Sequence, residues 1–317
     1  MTIPLKVRIG AVCWCAFTYF TVATFSHGTW TTALLLLAAL VLMPMTWCLA
    51  KDLDDAGWAA RLWKFDLQLQ LPAAVLLIPA FLLPAGPLAL VCTVPWAVLL
   101  LVMAVDGIIR IVRHGLHPLG LFCRDLGLVY AAVGGFWLLA ERAGWRPFGL
   151  NAHTLLLTAV HFHFAGLILP VLSSLVLARR PTCPVARWSS VLILIGAPLV
   201  ALSMIILQLG GPHWLDFGAA WILALGGLGV ALQHLVLGVA ERAVHPLVRG
   251  LWVVAGVCLA AGMLLAVLYS ARVYLPTMAW MDLPWMRMMH GSLNALGFSL
   301  AALLAWCRAG RKCCCGN

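Results

Sequence analysis

Residues 150–178 read LNAHTLLLTAVHFHFAGLILPVLSSLVLA. No Asp, Glu, Lys or Arg interrupts them, and about 20 apolar residues in a row are enough for a helix to cross a bilayer. The stretch is a membrane span. His161 and His163 inside it then pose a physical problem, because an imidazole is costly in hydrocarbon and must find a partner.

The rest of the chain agrees. Of 317 residues, 64% are hydrophobic and only 9% charged, whereas soluble domains are nearer half apolar and a quarter charged. The expected fold is an all-α, polytopic transmembrane bundle. About ten spans fit the length rule, at roughly 9–25, 30–50, 67–84, 87–108, 120–140, 150–178, 189–209, 217–240, 250–270 and 288–307. The third and fourth are separated only by PAGP (84–87) and have a re-entrant hairpin as an alternative. Residues 1–307 then form one transmembrane domain, and residues 308–317 a short cytoplasmic tail in which Cys313, Cys314 and Cys315 stand together. Three adjacent cysteines rarely close a tetrahedral metal site alone.

The net charge of +10 belongs to the loops. With the N-terminus inside, the inner segments carry fifteen of the Lys and Arg residues, and the outer segments carry four, Arg142, Arg146, Arg272 and Arg287. That asymmetry places both termini in the cytoplasm. The partner it implies is the lipid bilayer, and no zinc-finger, Walker or dinucleotide motif argues for nucleic acid or nucleotide. Asp52, Asp54 and Asp55 lie in the longest inner loop and read as solvated. Asp106, Arg110, Arg124 and Asp125 fall near the inner face, where pairing with one another is expected.

On a helix, residues two apart differ by about 200°. His161 and His163 therefore face opposite ways and do not chelate one ion. A helix with histidines on two sides fits the bundle centre, so the sixth span is expected to be the most enclosed. The second polar stretch is WMRMMHGSLNALGF (285–298), which enters the last span from outside. His290, Asn294, Gly297 and Ala301 share one face there, with an Asp282–Arg287 ion pair expected just before it. Asn294 is placed to fix a histidine tautomer, and the small residues admit a neighbouring helix.

TAVHFHFAG in the sixth span and MMHGSLNALGF in the last resemble the YndJ-like family of bacterial membrane proteins. The resemblance implies a multi-pass protein of the bacterial inner membrane, with His161, His163, His290, Gly291 and Asn294 as motif positions. It implies no particular activity. HFHF is also distantly similar to the His-aromatic-His element of haem–copper oxidase catalytic subunits, but the chain has neither an adjacent His-His pair nor a His-Pro-Glu-Val-Tyr element.

Two functional readings stay open. In one, His161, His163, His290 and His153 supply ligands to haem or a transition metal, with Asn294, Gly291 and Thr158 around them. In the other, the same histidines line a transport path for a proton, an ion or a small molecule. Both expect the sixth and last spans to pack side by side around a common site. No Ser-His-Asp or Cys-His set supports a metal-free enzyme.

Overall fold

The computed structural model describes residues 2–21, 26–51, 58–278 and 280–310. The aspartates at 52, 54 and 55 and the cysteines at 313–315 lie outside them. Among the described residues there is no strand, and ten helices are long and apolar enough to cross a membrane. They are α1 (Ile3–Thr21), α2 (Gly28–Ala50), α3 (Trp63–Leu82), α4 (Pro87–His114), α5 (Leu119–Ala143), α6 (Ala152–Arg179), α7 (Pro184–Gln208), α8 (His213–Ala240), α9 (Pro246–Ala271) and α10 (Leu283–Ala309). The PAGP turn separates two full-length helices, α3 and α4, each able to span by itself.

Successive helices pack as neighbours, giving the runs α3–α4–α5 and α7–α8–α9. Three helices join the runs: α2 touches α1, α3, α6 and α10, α6 touches α5, α7 and α8, and α10 touches α9 and α6. The most enclosed helix is α2, which corrects the expectation for α6: nearly all of α2 is buried, more than of α6. Its sequence, apolar but for four threonines, hid this. Lipid tails and protein cores are equally apolar, so a run of Ala and Leu does not tell which one it meets.

Hydrogen bonds tie the neighbours of α2 to its backbone. Trp14 Nε1 donates to the Ala33 carbonyl at 2.7 Å, and buried Gln70 Nε2 to that of Ala39 at 2.7 Å. Trp30 Nε1 donates to Ser292 Oγ of α10 at 3.0 Å. At the opposite end Arg110 reaches the last carbonyl of α2, with Nη1 2.9 Å from Ala50 O, and pairs with Asp106 at 2.7 Å. A cation there suits the negative end of the helix dipole. Arg124 Nε lies 2.7 Å from Asp125 Oδ1, so these four charged residues pair as their sequence positions suggest.

A π turn widens each of the three joining helices: Ala38–Leu42 in α2, Phe162–Ile168 in α6 and Leu293–Leu300 in α10. The turn in α10 touches the turns in both α2 and α6. Both polar stretches singled out above coincide with these turns. A π turn shifts helix register by one residue and is common where a side chain must be re-aimed.

Candidate functional site

A cavity of about 410 Å³ lies at one end of the bundle, among α2, α6, α7, α8, α9 and α10. It reaches from exposed Asn151 and Gln208 at the helix ends to buried Phe298 and Ser299 below. Its volume is in the range of small-molecule sites. Most of its wall is aliphatic and aromatic. Among its polar groups, the ionisable side chains and one amide sort into a mouth (Asp216, Arg272, Arg287) and a floor (His161, His290, Asn294), with hydroxyls such as Ser299 and the amides of Asn151 and Gln208 elsewhere on the wall.

His161 is held by α7. Its Nε2 lies 2.8 Å from the Ala197 carbonyl. A carbonyl only accepts, so Nε2 carries the proton, and in the neutral ring Nδ1 keeps its lone pair. In α7, Pro198 has no N–H for the Leu194 carbonyl. Tyr130 Oη of α5 donates to that carbonyl instead, at 2.8 Å.

His290 is held by α9 in the same manner. Its Nδ1 lies 2.8 Å from the Gly262 carbonyl, which fixes Nδ1–H and leaves the lone pair on Nε2. Asn294 Nδ2 donates to the His290 carbonyl at 2.9 Å and lies 3.1 Å from His290 Nδ1, and Asn294 Oδ1 is buried with no partner among the described residues. Gly262 makes the arrangement possible. A Cβ there would sit 2.8 Å from Asn294 Nδ2, so α10 approaches α9 closely only because that position is bare. Gly297, expected to admit α6, instead packs on Cys258 of α9, where a Cβ would meet Sγ at 2.5 Å.

The cavity thus brings together His161, His290, Gly291 and Asn294. The other sequence candidates lie elsewhere. His163 is fully enclosed and saturated: Nδ1 donates to the Ala159 carbonyl at 2.7 Å, and Nε2 accepts from Trp96 Nε1 of α4 at 3.1 Å. Thr158 is buried and bonds back to the Thr154 carbonyl at 2.8 Å. His153 is exposed in the first turn of α6. The expected Asp282–Arg287 pair does not form. Asp282 caps α10 by accepting from Trp285 N at 3.0 Å, and Arg287 turns to the cavity.

Sequence reasoning missed Asp216, Tyr269 and Arg272, each at a helix end and unremarkable by itself. It also missed a twin of the His163 arrangement. His234 Nδ1 bonds the Val230 carbonyl at 2.9 Å, and Nε2 accepts from Trp306 Nε1 at 3.2 Å. In both cases the tryptophan is on a distant helix, and no local pattern announces it.

The donor set also bears on a metal or haem. His161 and His290 each offer one nitrogen to the cavity, while both nitrogens of His163 are used within the fold. Among the described residues no group of three His, Cys, Asp or Glu is placed to hold a metal ion. Two imidazoles are an incomplete set for a tetrahedral protein site, so no chemistry through a metal is derived from them.

A family model described as YndJ-like protein matches residues 33–298. The uncharacterized membrane protein YndJ of Bacillus subtilis (strain 168) is 25% identical over 249 residues, which cover 74% of this chain and 40% of that protein. The chain therefore spans about two-fifths of the length of that relative. No solved structure matches.

Proposed function

This chain belongs to the YndJ-like family, and from that premise we propose a multi-pass protein of the bacterial inner membrane that binds a small amphipathic molecule in the cavity between α6 and α10, for sensing or for carriage. The observation that carries this is the convergence of His161 and His290 from two helices on one apolar-walled cavity, each ring pinned by a backbone carbonyl and each with a nitrogen left over. A pinned ring in an apolar wall orients a ligand more strongly than it would in water, because the alternative partner is absent.

The cavity end is the outer one in this reading. It is the end with Arg142, Arg146, Arg272 and Arg287, and fifteen Lys and Arg residues lie toward the other. Ten crossings would put both termini on one side, and in this reading that side is the cytoplasm. Binding of a bare metal ion is the weaker reading, because a third protein ligand is missing among the described residues.

The test uses Ala220, which lines the cavity, where no cysteine does. In spheroplasts, an Ala220→Cys variant should react with a membrane-impermeant maleimide added outside. In nanodiscs, 1-octanol should slow that reaction. Labelling only after permeabilisation would reverse the orientation, and no protection by any amphiphile would remove the binding function.

A further inference from the structure

Resting on that reading, we infer that the ligand is an organic anion with a hydrogen-bond donor at its far end: a carboxylate or phosphate head, an apolar body, and a hydroxyl or amine.

The mouth supplies the first half. Of its three charged residues, two are already engaged. Arg272 donates to the Tyr269 carbonyl and lies over the Tyr269 ring at 3.6 Å, and Asp216 accepts from Ser203 Oγ at 3.2 Å. Among the described residues Arg287 makes no hydrogen bond or ion pair, and its Nε is buried without an acceptor. A half-buried guanidinium at the edge of an apolar cavity is costly unless an anion meets it. The charges at the mouth also leave one positive in excess, Arg272 and Arg287 against Asp216. A planar fork of N–H donors suits an oxyanion.

The floor supplies the second half, and its sign is opposite. His161 Nδ1, His290 Nε2 and Asn294 Oδ1 are all acceptors, and none has a donor partner among the described residues. A second anionic oxygen there would meet these lone pairs and no donor but the hydroxyl of Ser299, whereas an O–H or N–H meets three acceptors. Arg287, His290 or Gly291, and Asn294 follow one another at helical spacing along one stripe of α10. At about 1.5 Å per residue, Arg287 lies roughly 4.5 Å from His290 and roughly 10 Å from Asn294 along the axis. The apolar wall between them, including Leu223 and Met263, fits a hydrocarbon segment.

The chemistry has two sources, a free hydroxy acid or the phosphate head of an anionic lipid entering from the outer leaflet. The experiment is protection of Ala220→Cys in phosphatidylcholine nanodiscs by 8-hydroxyoctanoate, octanoate, 1-octanol and octylamine. Octanoate should protect at a concentration about tenfold below 1-octanol, as one charge-assisted bond implies, and 8-hydroxyoctanoate should be tighter still. Octylamine, which can serve the floor but carries the same charge as Arg287, should protect less well than octanoate. In Arg287→Gln the advantage of octanoate over octanol should vanish with octanol unchanged. In Asn294→Leu the advantage of the hydroxyl should shrink. Protection by phosphatidylglycerol nanodiscs with no added acid would identify the lipid source and support the same class. Equal protection by octanol, octanoate and octylamine would overturn the anion while leaving the binding cavity standing. Absence of protection by every probe and by the lipid would remove the cavity function as well.

Discussion

His163 is enclosed between Trp96 and the Ala159 carbonyl, with Gly134 leaving room for the ring: a Cβ at 134 would lie 3.0 Å from Nδ1. A ring whose two nitrogens are both spent is a structural element, and its removal should be felt in stability alone. Trp96→Phe leaves Nε2 of a buried histidine without its donor and should lower unfolding stability by about 1–3 kcal/mol. Paired with His163→Leu in a double-mutant cycle, it should show coupling of at least about 0.5 kcal/mol. Protection of the cavity cysteine by octanol should not change. Independent, additive losses would show that the Trp96–His163 bond contributes nothing. His161→Gln and His290→Gln should behave the other way, weakening ligand protection by several-fold with little loss of stability, because both rings face a cavity rather than close packing. The sequence made His161 and His290 legible as histidines that need partners. It did not separate them from His163, since the partner that decides the matter is a tryptophan on another helix. Arg287 was legible only as a charge near an outer end, and the cap made by Asp282 is what frees it for the cavity.

At the level of helices, the ten spans follow from apolar length, and the fitted ends shift by a few residues where polar residues extend a helix beyond the hydrocarbon. The first span begins at Ile3 rather than near residue 9, carrying Lys6 and Arg8 into the helix. The π turns were not legible. They arise where carbonyls of α2, α6 and α10 are taken by side chains or displaced by packing, and composition alone does not register that. Close approach was half legible. Small residues on α10 marked a packing seam, but the partner is α9, and the bare position on the partner, Gly262, is what lets His290 and Asn294 straddle it. Gly262→Val should therefore push α10 away, costing about 1–3 kcal/mol by overpacking and reducing ligand protection with it. Gly218→Ala on α8, where a Cβ would meet nothing within 4 Å, is the matched control and should be neutral or slightly stabilising in thermal unfolding. Equal tolerance at both glycines would mean that the α9–α10 contact is not needed for the site.

Across the whole molecule, three helices that are far apart in sequence, α2, α6 and α10, meet through their π turns and join the two runs of neighbours. The centre belongs to α2, whose featureless sequence concealed it, and the polar work belongs to α6 and α10. Both termini should lie inside, so a reporter fused after Asn317 that is active only in the cytoplasm should be active, and one active only outside should be silent. The central claim is that α6 and α10 share one cavity reached from the outer face. Its most direct test places one cysteine on each helix at lining positions, Ala165→Cys on α6 and Met286→Cys on α10. An impermeant maleimide should label both from outside, and 8-hydroxyoctanoate should protect both with the same half-maximal concentration. Protection of one cysteine only, or two clearly different concentrations, would mean two sites rather than one.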